Sequence, residues 1–257
     1  MSLAPNPLAS PVASPSESSP PTTAGPRLHW SWKVGYTAFM LILVFYYWRE
    51  YGPTNFLYFC DVALFLGLAA VWTEKAKYAS MAAVGILLPQ VLWQIDFLGS
   101  LVGTPVTGMT GYMFDSGISW FARALSFFHF WLPLFLLFLV RRLGYDRRAL
   151  YSWSVLAWGL ILVSFLFLPA PGDPLDFVNQ PHNVNYVYGL DPDEPQQWMA
   201  PWAWVGCLLV GLPLGIYRPT HWLLTWQDRW GRTEASQRSR PTAWTGCYLA
   251  LNLKRNS

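Results

Sequence analysis

The chain alternates long apolar runs with short polar breaks. The first run, 32–48, is just long enough to cross a bilayer as a helix, and it ends at the turn Tyr51-Gly52-Pro53. A second run, 55–72, is followed by the polar link Thr73-Glu74-Lys75-Ala76-Lys77. A third, 79–98, carries Pro89, which predicts a kink. Residues 99–119 are rich in Gly and Thr and predict a structured loop with a short interfacial segment. The fourth run, 120–140, contains His129 and Pro133 and ends in a basic turn, Arg141 to Arg148. The fifth, 150–168, precedes a long loop, 169–199, with five acidic residues and neither Lys nor Arg. The sixth is 201–217. The pattern predicts an all-α polytopic membrane protein with six transmembrane helices in a domain spanning 27–217. No repeat of 20–50 residues points to a solenoid.

The flanks differ from this core. Residues 1–26 are Ser-, Pro- and Ala-rich, which predicts a disordered tail. No positively charged stretch leads directly into an apolar one there, so no cleavable signal peptide is expected. Residues 218–257 form a basic tail in which 244–253 is apolar but too short to span.

Charge fixes the expected orientation. With both termini cytoplasmic, only Arg49 and Arg123 of the 17 cations lie on the outer side, as the positive-inside rule requires. The expectation is a multi-pass protein of the cell membrane. Composition agrees: 53% of residues are hydrophobic and 12% charged, against about 25% charged in soluble domains. The 16 Trp and 13 Tyr suit the membrane interface. No basic, aromatic-interleaved stretch suggests nucleic acid. The cysteines, at 60, 207 and 247, have neither disulfide-framework nor metal-ligand spacing, so no metal and no cofactor is expected. The expected partner is membrane lipid, and the oligomeric state is left open.

The polar residues inside the runs collect on one side. At 1.5 Å per residue, Cys60 and Asp61 lie roughly 8–9 Å below an entry at Asn55, and His129 roughly 13–14 Å below Trp120. Asp96 sits near the outer end of the third run, with Gln94 below it, and Arg123 lies near the rim. These depths predict a polar cavity in the outer half of the bilayer. Its floor would be Cys60, Asp61, Asp96 and His129, with the 169–199 loop above it. Each residue also has a plain structural explanation. A membrane Cys is commonly a small apolar filler, a membrane His commonly bonds a neighbouring helix, and either Asp would serve as a bridge to Arg123. Jointly they fit acyl chemistry: a thiol nucleophile, a His base and an orienting carboxylate.

The motifs Phe59-Cys60-Asp61-Val62-Ala63-Leu64-Phe65, Phe128-His129 with Leu132-Pro133-Leu134, and Asn183-Val184-Asn185-Tyr186-Val187-Tyr188 with Pro201-Trp202-Ala203-Trp204 resemble, in order, those of the YwaF-type bacterial integral membrane proteins. The eukaryotic relatives of that family include a transmembrane phospholipid acyltransferase. The resemblance covers about 30–217 and departs at Val187, Gly189, Ala203 and the 99–119 insert. It implies a six-helix fold, and it implies that Cys60 and His129 carry acyl transfer. On this reading Cys60 is nucleophile, His129 general base, and Asp61 or Asp96 the orienting carboxylate. Asn185, Tyr186, Arg123 and Gln94 are candidate substrate-binding residues. The alternative is a non-enzymatic transporter or scaffold in which Asp61 and Asp96 form a proton or cation site.

Overall fold

A computed structural model describes residues 28–238 other than 176, 178, 192 and 193, with the backbone alone for 231–238. The expected N-terminal tail and most of the C-terminal tail, including 244–253, lie outside the described residues. Within them the protein is helical and carries no strand.

Helix α1 (Trp30–Glu50) opens at His29, whose Nδ1 accepts the Ser31 N–H at 3.2 Å. Gly52 then turns the chain with φ +78°, and a Cβ there would press into the Phe177 ring, so the position requires glycine. A 3-10 turn, Pro53–Leu57, precedes α2 (Phe59–Thr73). Next come α3 (Ala76–Leu101), the short α4 (Trp120–Ser126), α5 (Phe128–Leu143) and α6 (Ala149–Phe167). After the long loop, α7 (Pro201–Leu212) continues through a π turn, Pro213–Tyr217, into α8 (Arg218–Arg238).

Two of these boundaries differ from expectation. The second apolar run becomes helical only at Phe59, because 53–57 is spent on the 3-10 turn. The last helix does not stop near 217 but runs twenty-one residues further as α8.

Helix α3 is central and packs against α2, α5, α6 and α8. Its buried face is built of small residues, Ala79, Ala82, Ala83 and Gly85, which let neighbouring backbones come close. Gly85 shows this most directly: a Cβ there would occupy the space of the buried Trp153 ring of α6. Leu64, Val71, Leu132, Leu136, Leu139 and Ile161 complete the interior. Among the described residues, three helical stretches are long and apolar enough to cross a membrane: Ala76–Leu101, Trp120–Leu143 and Ala149–Phe167. Helix α2 is apolar but shorter.

Prolines within these helices leave carbonyls without their usual donor, because proline has no N–H for the carbonyl four residues back. A neighbouring helix makes good the loss twice. Pro133 orphans His129 C=O, and Gln94 Nε2 of α3 donates to it at 2.9 Å. Pro213 orphans Leu209 C=O, and Trp158 Nε1 of α6 donates to it at 2.8 Å. In surroundings without water, such donors are what make a helix-breaking residue tolerable.

Hydrogen bonds and ion pairs gather the turns at two ends. At one end Lys33 pairs with Glu74 at 2.8 Å, Ser80 Oγ accepts the Asp146 N–H at 2.9 Å, and Tyr145 meets His221 at 2.6 Å. At the other, Asn179 donates to Glu50 at 2.6 Å, and the 183–189 segment docks on the start of α2.

Candidate functional site

The site is assembled by two loops that fold onto the first turn of α2. The first is held by Asp96, which is fully buried. Its Oδ1 accepts the N–H groups of Val106, Thr107 and Gly108 at 2.5–2.9 Å, and its Oδ2 accepts the N–H and hydroxyl of Thr110 at 2.9 and 2.7 Å. Asp96 therefore does not orient His129. It is an anchor that ties residues 106–110 to the end of α3, and its acceptor capacity is taken up by backbone. The loop so anchored carries Tyr112 inward, toward Ser126, Cys60, Trp93 and Tyr186.

The second loop is shaped by two asparagines in the left-handed region, Asn183 (φ 48°) and Asn185 (φ 60°), followed by Tyr186 (φ 61°). Asparagine tolerates this conformation because its short side chain bonds locally. Asn183 Nδ2 donates to the Gly189 and Asp191 carbonyls, and its Oδ1 accepts the Tyr188 N–H at 2.7 Å. Asn185 clamps α2: Oδ1 accepts the Phe59 N–H at 3.0 Å, and Nδ2 donates to Leu57 C=O at 2.9 Å and to Ser164 Oγ at 3.3 Å. Both ends of its amide are committed to protein, so the expected substrate-binding role for Asn185 gives way to a structural one. Tyr188 donates to Phe165 C=O at 2.9 Å, and Trp204 Nε1 donates to Tyr186 C=O at 2.8 Å. The spaced motif and the tryptophan after it thus form one clasp.

Inside the clasp lie Cys60 and Asp61, in the first turn of α2 rather than well down the helix as the 55–72 run implied. A helix N-terminus favours negative charge. The Cys60 thiol donates to Asp61 Oδ2 at 3.6 Å. Asp61 is 3% exposed, and its Oδ1 is buried without a partner. Tyrosines surround the pair. Tyr58 lies near Tyr186, Cys60, Asp61 and Tyr112, and Tyr47 near Asp61 and Tyr112. Tyr47 also meets Ser126 Oγ at 3.1 Å. Burial first, then the proximity of Cys60 and Asp96, pushes the Tyr186 hydroxyl up to about 12, so it keeps its proton as a donor at neutral pH. Burial raises Tyr112 in the same way.

His129 is placed by the α4–α5 kink. The Phe130 N–H turns to Phe127 C=O at 3.0 Å, which leaves the Ser126 carbonyl open, and His129 Nδ1 meets it at 2.7 Å. A carbonyl only accepts, so Nδ1 carries the proton and Nε2 holds the lone pair. The ring is sandwiched between Trp93 (centroids 4.5 Å apart) and Phe128 (4.1 Å). Cys60 and His129 do not hydrogen-bond each other. Ser126 and the Tyr47 and Tyr112 side chains link the two regions.

The other expected ligand residues are also accounted for. Arg123 donates to Met113 C=O at 3.4 Å and bridges neither Asp61 nor Asp96. Gln94 is the donor that repairs the Pro133 gap. Among the described residues no three His, Cys, Asp or Glu side chains cluster as a metal site. Sequence reasoning missed Tyr47, Tyr58, Tyr112 and Ser126. Tyrosine and serine in membrane segments pass for interface belt and filler, and only the offset Tyr58-x-Cys60-Asp61 hinted at more. The chain matches no protein-family model, no curated protein and no solved structure.

Proposed function

We propose that this is a six-span protein of the cell membrane, of the YwaF type, with both termini cytoplasmic. On this reading Cys60 and Asp61 form a lipid acyl-transfer or hydrolysis site in the outer half of the bilayer. The observation that carries the reading is the thiol–carboxylate contact at 3.6 Å, in which Asp61 keeps one buried oxygen without a partner. The two ends of the fold support the orientation, because the basic turns gather at one end and the polar cluster at the other.

The arrangement gives a concrete step. Cys60 Sγ attacks the ester carbonyl of a lipid while its proton passes to Asp61. The tetrahedral intermediate expels the lysolipid alkoxide, which takes the proton back from Asp61 and leaves an acyl thioester on Cys60. A lipid hydroxyl or water then attacks the thioester and releases the thiol. Tyr112 and Tyr186, both protonated and near Cys60, are the donors available to the oxyanion. The base in this scheme is Asp61, the group that touches the thiol, in place of His129.

The test is incubation of the purified protein with phospholipid bearing an alkyne-tagged acyl chain. Wild type is expected to acquire a hydroxylamine-sensitive label that Cys60→Ala lacks and Asp61→Asn forms at least about tenfold more slowly. Equal labelling and turnover by Cys60→Ala would refute the nucleophile. The unpartnered Asp61 oxygen also favours a second reading, a proton- or cation-binding carboxylate in a transporter or scaffold. That reading predicts that Cys60→Ala is silent in any transport assay while Asp61→Asn is not.

A further inference from the structure

Between α3, α5 and α8 runs an apolar groove of about 510 Å³ that the proposed chemistry does not use. Its walls are Val91, Phe130, Leu134, Leu137, Leu223 and Leu224. Leu134 and Leu223 stand 69% and 46% exposed, so the groove opens sideways from the helix bundle. Its two ends are polar and unlike each other. At one end lies Gln94, whose amide N–H is committed to His129 C=O. At the other lies Gln227, whose amide faces Arg141 and, with its oxygen and nitrogen exchanged, accepts Nε and Nη2 of Arg141 at 2.7 and 2.8 Å.

Arg141 follows Leu137 by one helical turn and so continues the wall of the groove past its apolar end. Its Gln227 contact fixes the guanidinium there and leaves further N–H donors of the planar fork unspent. Arg147 and Arg148, both exposed in the adjoining turn, add to the positive field. On the α8 side, Trp222, Trp226 and Trp230 are exposed at four-residue spacing, the residue type that marks the headgroup level. An acyl-chain-sized apolar slot that ends at an immobilised guanidinium, at the depth of a tryptophan belt, matches a lipid in length, polarity and charge.

We propose that this groove is a binding site for an anionic phospholipid, with an acyl chain between α3, α5 and α8 and the phosphate on Arg141. Basic pockets between helices on the cytoplasmic side select anionic headgroups in this way. The cytoplasmic leaflet is assigned by the topology proposed above, whereas the headgroup selectivity does not depend on it. Nor does the site depend on Cys60.

Native mass spectrometry of the full chain in detergent micelles tests this, with phosphatidylglycerol and phosphatidylcholine of identical acyl chains added at equal concentration. Wild type and Cys60→Ala should both retain phosphatidylglycerol in preference. Arg141→Gln should lower phosphatidylglycerol retention by about fivefold and spare phosphatidylcholine, the loss expected for one cationic contact. Leu134→Trp, at a position 69% exposed, should block the slot and abolish the preference. Equal retention of the two lipids by wild type would mean an unselective lipid shell and would overturn the proposal. So would undiminished phosphatidylglycerol retention in either Arg141→Gln or Leu134→Trp. Loss of the thioester label with this selectivity intact would count against the acyl-transfer reading alone.

Discussion

Asn185 is the residue on which the site's geometry most depends, and its cost can be worked out. It is 4% exposed and bonds the Phe59 N–H, the Leu57 C=O and the Ser164 hydroxyl. Replacement by alanine leaves the two partly buried backbone groups unpaired, at about 1–3 kcal/mol each. Its φ of 60° adds a second term. Alanine in the left-handed region costs about 1–2 kcal/mol. Glycine escapes that strain but forfeits about 0.4–1 kcal/mol through the freedom of its unfolded chain. Asn185→Gly should therefore destabilise by about 2.4–7 kcal/mol, with Asn185→Ala worse by a further ~0.8 kcal/mol. The assay is unfolding of the purified protein by sodium dodecyl sulfate, followed by far-ultraviolet circular dichroism. Losing the clamp also frees Tyr186 from Cys60, so thiol labelling by a maleimide should quicken in both variants. Two results would refute the reasoning: Asn185→Ala within about 0.5 kcal/mol of wild type, the scatter of an inert surface change, or Asn185→Gly as unstable as Asn185→Ala.

Three further outcomes are expected. Gln94→Leu should destabilise by about 1–3 kcal/mol by orphaning the His129 carbonyl, and the effect should largely vanish in a Pro133→Ala background, where residue 133 regains its N–H. A double-mutant cycle with no coupling would contradict the proline account. Asp96→Ala should accelerate amide hydrogen exchange at Val106, Thr107, Gly108 and Thr110 by at least about tenfold, read as local opening of the loop, while exchange in α6 stays unchanged. In intact cells, a membrane-impermeant maleimide should label Asp173→Cys but not Arg147→Cys, and the reverse pattern would invert the orientation.

Much of the helical framework was legible in the sequence, and the reason is physical. A chain without water must satisfy its backbone internally, so apolar runs bounded by charge become helices close to where the runs lie: 79–98 became Ala76–Leu101 and 150–168 became Ala149–Phe167. The boundaries failed where backbone chemistry overrode hydropathy. Pro53 and the Asn185 clamp delayed α2 to Phe59, and Pro213 was absorbed by a π turn because Trp158 could donate to Leu209 C=O. The site was only half legible for a related reason. Hydropathy gives the depth of a polar residue but not its partner. Asp96, Asn185, Arg123 and Gln94 were all expected in the site, yet each is bonded to main-chain N–H or C=O groups, which the identities of the partner residues do not reveal. Gln94 was the one exception in principle. A polar residue in an apolar run, together with a proline four residues after His129, is a readable sign that a carbonyl needs a donor.

Subtracting those structural roles sharpens what is left. Asp96 and Asp61 are both buried carboxylates, and the same burial cost applies to each. Asp96 meets it with four backbone N–H groups and a hydroxyl. Asp61 has a thiol on one oxygen and nothing on the other. Its place in the first turn of α2 relieves part of the cost through the helix dipole, but no donor from either loop reaches that second oxygen, although Tyr47 and Tyr58 lie near. Two loops, an asparagine clamp and a row of left-handed residues are spent on covering this one pair without completing its hydrogen bonds. A structural carboxylate in the same protein is saturated, so the incomplete one is where an incoming donor, the lipid hydroxyl or water of the acyl-transfer reading, would find its acceptor.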